Sequence, residues 1–207
     1  MTRLTPARWF IIGAAVLGVA GLVWWLLRPA PTVAFLGDSI SVVASPEIKA
    51  ELGSDYTPDV AAALGIEAGQ MIPAGQAAAA KNPDQVVIEL GSNDVLHGAS
   101  LNNAEVDLLK LITLFPNARC IHMVNINTNM TDNGRPVGTG AGMVNTALSH
   151  LHAADKRIDI IDWNQIVSAD VAAHPPGGTL TADTVHPNPA GRALLAHAIK
   201  TALDNCN

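Results

Sequence analysis

The chain has two hydrophobic regimes. From Trp9 to Leu27 the sequence WFIIGAAVLGVAGLVWWLL runs for nineteen residues without a charge. As a helix rising 1.5 Å per residue it would span about 28 Å, close to the hydrocarbon thickness of a bilayer. Trp9 at one end and Trp24 and Trp25 at the other suit interfacial anchors. From residue 32 onward the pattern changes to short apolar runs alternating with stretches of helical spacing.

Val33-Ala34-Phe35-Leu36 ends at Gly37, and Gln85-Val86-Val87-Ile88-Glu89-Leu90 ends at Gly91. Arg119–Asn125 and Ile158–Trp163 are two further strand candidates, and Gly65-Ile66-Glu67-Ala68 is a shorter, less apolar one. Between them, Val106, Leu109, Leu111, Ile112 and Phe115 mark a helix closed by Pro116. Met143, Val144, Ala147, Leu148 and Leu151 mark a second. The last helix has a clear start, with Asn188 suited to the N-cap and Pro189 to the first helical position. Strands alternating with helices predict a parallel sheet with helices on both faces. Ligands of such folds bind beyond the carboxyl ends of the strands.

The division expected is therefore residues 1–31 as cytoplasmic stub, anchor (about 9–27) and linker, and 32–207 as one globular domain. Arg3 and Arg8 precede the apolar run and only Arg28 follows it, which orients the amino terminus to the cytoplasm and the domain outside. The alternative is a cleaved signal peptide with a secreted domain. Against it stand the length of the run and the absence of an A-x-A site after Leu27.

Charge narrows the partners. Three of the 12 basic residues and none of the 18 acidic ones precede residue 32, so the remainder carries 9 basic and 18 acidic groups, a net charge of −9. No basic stripe is present that could neutralise phosphates, and a nucleic-acid partner is not expected. With Cys120 and Cys206 as the only cysteines, neither a disulfide scaffold nor an all-cysteine zinc site can be built.

Three short motifs fall at or just beyond strand ends: Gly37-Asp38-Ser39, Gly91-Ser92-Asn93-Asp94 and Asp183-Thr184-Val185-His186. Alone, each reads as a turn or a helix cap. Together they supply a hydroxyl nucleophile, an imidazole base with a carboxylate three residues before it, and an amide donor, the parts of an acyl-transferring hydrolase.

In order and spacing these blocks resemble the SGNH hydrolases, also called GDSL-type esterases and lipases. Ser39 stands in the first block, Asn93 in the third and His186 in the last, where a helix follows Pro187; the first block reads Gly-Asp-Ser-Ile in place of Gly-Asp-Ser-Leu. The resemblance implies an SGNH hydrolase fold over residues 32–207, a flavodoxin-like three-layer α/β/α sandwich with a parallel sheet. It also implies catalysis by Ser39, His186 and Asp183, with an oxyanion hole from the Ser39 and Gly69 N–H groups and the Asn93 side chain. Gly75 is the alternative to Gly69. Asp38 and Asp94 are expected to brace their loops. No metal or organic cofactor is implied.

Other motifs carry less. Gly138-Thr139-Gly140-Ala141-Gly142 lacks the register of a dinucleotide loop and is expected to open a helix. His150 and His152 point to different faces of a helix, His122 is expected in the core, and His97 in a surface loop or lining an acyl pocket. Asn129-Met130-Thr131 is a glycosylation acceptor only in a eukaryotic secretory pathway. Cys120 begins a strand at the edge away from the motifs, and the last helix returns Cys206 to that edge, so the pair could oxidise outside the cytoplasm. The function expected is an extracytoplasmic serine esterase on a small-molecule or envelope ester. O-acyl transfer to envelope sugars and a catalytically silent anchored binding module are the alternatives.

Overall fold

Thr32–Gly37 (β1) and Gln85–Glu89 (β3) are the apolar runs that lie at the centre of the sheet, and all but the first residue of β1 are buried. The computed structural model describes residues 29–98 and 103–206. The apolar run Trp9–Leu27 lies outside them. Among the described residues no helix is long and apolar enough to cross a membrane.

Pro31–Asn207 forms one compact unit. Five strands pair in the order β2-β1-β3-β4-β7, all parallel, where β2 is Thr57–Ala62, β4 Cys120–Val124 and β7 Ile158–Ile161. This is the doubly wound order with its switch point between β1 and β3. Thr131–Asp132 (β5) and Arg135–Pro136 (β6) form a separate small hairpin.

Right-handed crossovers in this strand order divide the helices between two faces. Ser39–Leu52 (α1) packs on Pro189–Asp204 (α7) on one side. On the other, Ala104–Thr113 (α4) packs against both Ile72–Ala79 (α2) and Gly138–Ala154 (α5). The short Ser92–His97 (α3) and Trp163–Ala173 (α6) follow β3 and β7. The last helix starts as its sequence predicts: the Asn188 side chain accepts from the N–H groups of Ala190 and Gly191.

One expected element is misplaced. The strand anticipated at Gly65–Ala68 is instead a turn leading into a 3-10 helix, Ala68–Met71, and the true second strand precedes it at Thr57–Ala62. That strand contains Pro58 and Asp59 and is only half-buried. As an edge strand it tolerates a proline and shows little apolar signal.

Candidate active site

Ser39 opens α1 directly after β1. A Cβ on Gly37 would collide with the Ser41 side chain, so glycine alone lets this turn close on the strand end. Asp38 caps the helix, accepting from Ile40 N–H at 2.8 Å. Ser39 N–H, in the first turn, has no intrahelical acceptor and lies at the positive end of the helix dipole. The side chain is close to buried, 8% exposed.

Beneath the serine lies a pair of buried carboxyl groups. Glu89, the last residue of β3, accepts from the Ser41 hydroxyl at 2.7 Å and the Ser41 N–H at 3.1 Å. Its carboxyl also hydrogen-bonds that of Asp38. Burial pushes Asp38 up to about 6, and burial followed by repulsion from Asp38 holds Glu89 well above the usual carboxylate range. Two buried carboxyls in contact cannot both ionise cheaply, so the pair retains a proton.

Asn93 enters from the start of α3, which Gly91 opens at φ 114, a conformation that favours glycine. Its amide nitrogen donates to Asp38 Oδ2 at 3.2 Å and to the Ile66 carbonyl at 3.0 Å. Both amide protons are thus engaged, and an oxyanion must share or replace one of these acceptors. Asp94, next along, accepts from Ala68 N–H at 3.0 Å and ties the 3-10 turn to α3.

His186 and Asp183 come from the irregular segment before α7. The imidazole Nε2 lies 2.8 Å from Ser39 Oγ, and Nδ1 lies 2.7 Å from Asp183 Oδ2. Asp183 Oδ1 accepts from the N–H groups of Val185 and His186. Burial raises the Asp183 carboxyl, but these hydrogen bonds together with the His186 ring outweigh it and hold the group below its usual value. The loop closes through Thr184 at φ 70, an uncommon conformation for a β-branched residue. Thr184 is held there by three bonds: its hydroxyl meets Thr131 N–H and Thr131 Oγ1, and its carbonyl accepts from Asn127 Nδ2.

The structure therefore joins Ser39, His186 and Asp183 in one hydrogen-bonded line and ties Asn93 to Asp38, the residue before Ser39. Gly69 sits in the 3-10 turn, linked to α3 through the Ala68–Asp94 bond, with Asp107 Oδ2 only 2.6 Å from where its Cβ would be. Gly75 is placed differently. It lies within α2 under Leu111, Leu114 and Leu36, where a side chain would meet leucine methyls at 3.0 Å, which makes it a packing residue. His97 ends α3 on the surface, paired with Glu67 at 2.8 Å. Sequence reasoning assigned no role to Glu89, Asn127, Thr131 or Thr184. The signal for Glu89 was a charge at the end of an otherwise apolar buried strand; the others are neutral polar loop residues and carry none.

Chemically, the arrangement can remove a proton from Ser39 as it attacks a carbonyl and return it to a leaving oxygen. The fold and this group of residues are those of a hydrolase. The chain belongs to the GDSL-like Lipase/Acylhydrolase family, whose pattern it matches over residues 35–194. Solved structures similar to it include a lipolytic G-D-S-L family member from Veillonella parvula, with TM-score 0.70, 20% identity, and coverage of 84% of this chain and 98% of that one. The C-terminal catalytic domain of peptidoglycan O-acetyltransferase A from Streptococcus pneumoniae superposes with TM-score 0.66 at 19% identity, over 86% of this chain and 96% of that one. A catalytic mutant of the acetylxylan esterase from Geobacillus stearothermophilus gives 0.63 at 18%, over 84% and 94%. No curated protein matches the chain.

Proposed function

We propose that this protein is a serine esterase that cleaves acyl esters through Ser39, His186 and Asp183 by way of an acyl-enzyme. The observation that carries this is the unbroken line from Ser39 Oγ to His186 Nε2 at 2.8 Å and from His186 Nδ1 to Asp183 Oδ2 at 2.7 Å. In the first half-reaction His186 takes the serine proton, the hydroxyl oxygen adds to the acyl carbon, and the tetrahedral oxyanion is met by Ser39 N–H, Asn93 Nδ2 and Gly69 N–H. His186 then protonates the departing alcohol. Water repeats the sequence and releases the acid. Thr184 also lines a cavity of about 330 Å³, none of whose lining residues is ionisable, which suits a neutral alcohol portion.

The apolar run at Trp9–Leu27 supports a tethered, extracytoplasmic setting in which envelope esters are the substrates. The same residues would serve O-acyl transfer if a sugar hydroxyl replaced water. The deciding assay is hydrolysis of p-nitrophenyl esters, from acetate to long acyl chains, by the protein and its Ser39→Ala variant, with and without an acceptor sugar. Serine-dependent release of free acid is the expected result, and acylated sugar would reassign the activity to transfer. A folded protein that neither turns over nor reacts with a fluorophosphonate would instead be a binding module.

A further inference from the structure

At the opposite end of the sheet from Ser39 lies a second group of chemically capable side chains. Cys120 opens β4 and His122 follows two residues later, so both leave the same face. Strand register sets Gln85 beside Cys120 and Asp159 beside His122, on that same face. Cys206, just past the end of α7, reaches the group and is joined to Cys120 in a disulfide, with Cα atoms 6.0 Å apart. Both sulfurs and a ring nitrogen of His122 lie within 4.8 Å of one another.

The imidazole is the telling residue. It is 1% exposed. Gln85 donates from its amide nitrogen to the Leu203 carbonyl at 3.3 Å, which turns its Oε1 toward the ring, 2.9 Å from His122 Nε2. An oxygen facing Nε2 requires the proton there. Nδ1 is then left with a bare lone pair, buried and without a hydrogen-bond partner. The group it faces is another acceptor, Asp159 Oδ2 at 3.6 Å. A lone pair opposed to a carboxylate is stabilised by a cation between them.

We propose that Cys120, Cys206 and His122 Nδ1 form, when the disulfide is reduced, a site for a thiophilic divalent cation of the zinc type, with water as fourth ligand. Two thiolates and one imidazole are a donor set suited to tetrahedral zinc. Gln85 is the outer partner that fixes the ring's tautomer, as such partners do around metal-bound histidines. Disulfide and metal are alternative states of the same cysteines. To pass from one to the other, a phosphine with water, or a dithiol, gives up two electrons; the S–S bond breaks and two thiols form. The cation then displaces both thiol protons to solvent as the two metal–sulfur bonds form. Either state fastens the end of α7 to the start of β4. The site is independent of the esterase proposed above.

Cadmium tests this directly, because its thiolate complexes absorb in the near ultraviolet. The full chain is titrated with Cd²⁺ before and after reduction by a phosphine, with folding followed by circular dichroism. The reduced protein should bind one Cd²⁺ with a thiolate band and the oxidised protein none. His122→Gln, which keeps both thiols, should weaken binding at least about tenfold, the scale on which even outer partners of a metal site act. Absence of the band in folded reduced protein would overturn the proposal, and so would undiminished affinity in His122→Gln. Should reduction unfold the chain, refolding by Cd²⁺ supports the site and failure to refold refutes it.

Discussion

The Asn93 amide nitrogen donates to Asp38 Oδ2 at 3.2 Å, so the residue beside the proposed nucleophile orients the side chain proposed to meet the oxyanion. This contact ties the first and second motifs together at the switch point of the sheet. Replacing Asn93 with Ala removes a charge-stabilising donor, and kcat should fall about 100- to 1,000-fold with a smaller change in KM. Steady-state kinetics on a p-nitrophenyl ester reads the split.

Asp183 is more exposed than its role suggests. Its side chain is 56% exposed and that of His186 36%, so water screens their attraction. Losing the carboxylate of a buried triad costs about 10,000-fold in kcat. In Asp183→Ala the fall should be shallower, about 100- to 1,000-fold, whereas Ser39→Ala should abolish turnover. A fall as deep as that of a buried triad would show that Asp183 does more than steady the ring.

The carboxyl pair under the serine makes stability depend on pH. Asp38, at about 6, and Glu89 titrate above their ordinary values of 3.8 and 4.5. The folded state therefore binds more protons than the unfolded chain above about pH 4. Stability conferred by these protonated groups is complete below the ordinary values and declines as pH rises through about 6 and beyond. Glu89→Gln keeps a hydrogen-bonding amide with no proton to lose. Its melting temperature should fall less than that of the wild type between about pH 5 and 8.

The disulfide spans 86 residues. Loop-closure entropy for such a span suggests that Cys206→Ser lowers unfolding free energy by about 2–4 kcal/mol. Because the bond lies at the sheet edge away from Ser39, kcat should be unchanged. Urea denaturation and initial rates on the same sample check both halves.

Thr184 holds an unfavourable φ of 70 through Thr131 and Asn127. Thr184→Ala keeps the turn but frees it from Thr131. The His186 ring should lose alignment, with kcat reduced about tenfold and KM nearly constant, since small displacements of catalytic groups carry such costs. Equal activity would show that the Asp183–His186 loop holds its own shape.

Most of the fold was legible because it rests on buried periodicity. Val33–Leu36, Gln85–Leu90 and Arg119–Asn125 are mostly apolar in their middles and end at turn residues, and each overlaps a sheet strand. Thr57–Ala62 was not legible, since its residues are half-exposed and include a proline that only an edge strand tolerates. The site divides in the same way. Ser39, Asn93, Asp183 and His186 carry distinctive chemistry in short motifs. What holds them does not: the Ile66 carbonyl on Asn93 is backbone, and the Thr131–Thr184 clasp joins positions 53 residues apart. Gly69 and Gly75 look alike as letters, and only their surroundings differ, Asp107 beside the first and leucines around the second.

The proposed nucleophile and base stand on ground of unequal firmness. Ser39 begins a helix rooted on the central strand, while His186 and Asp183 ride on a loop whose nearest regular pairing is the single Thr181–Pro187 bridge. Such a loop opens locally at far lower free energy than the sheet. On gentle warming, catalysis should fade while circular dichroism still reports a native fold, and cooling should restore it. The temperature at which this enzyme stops working would then measure the hold of one threonine on another, not the melting of the protein.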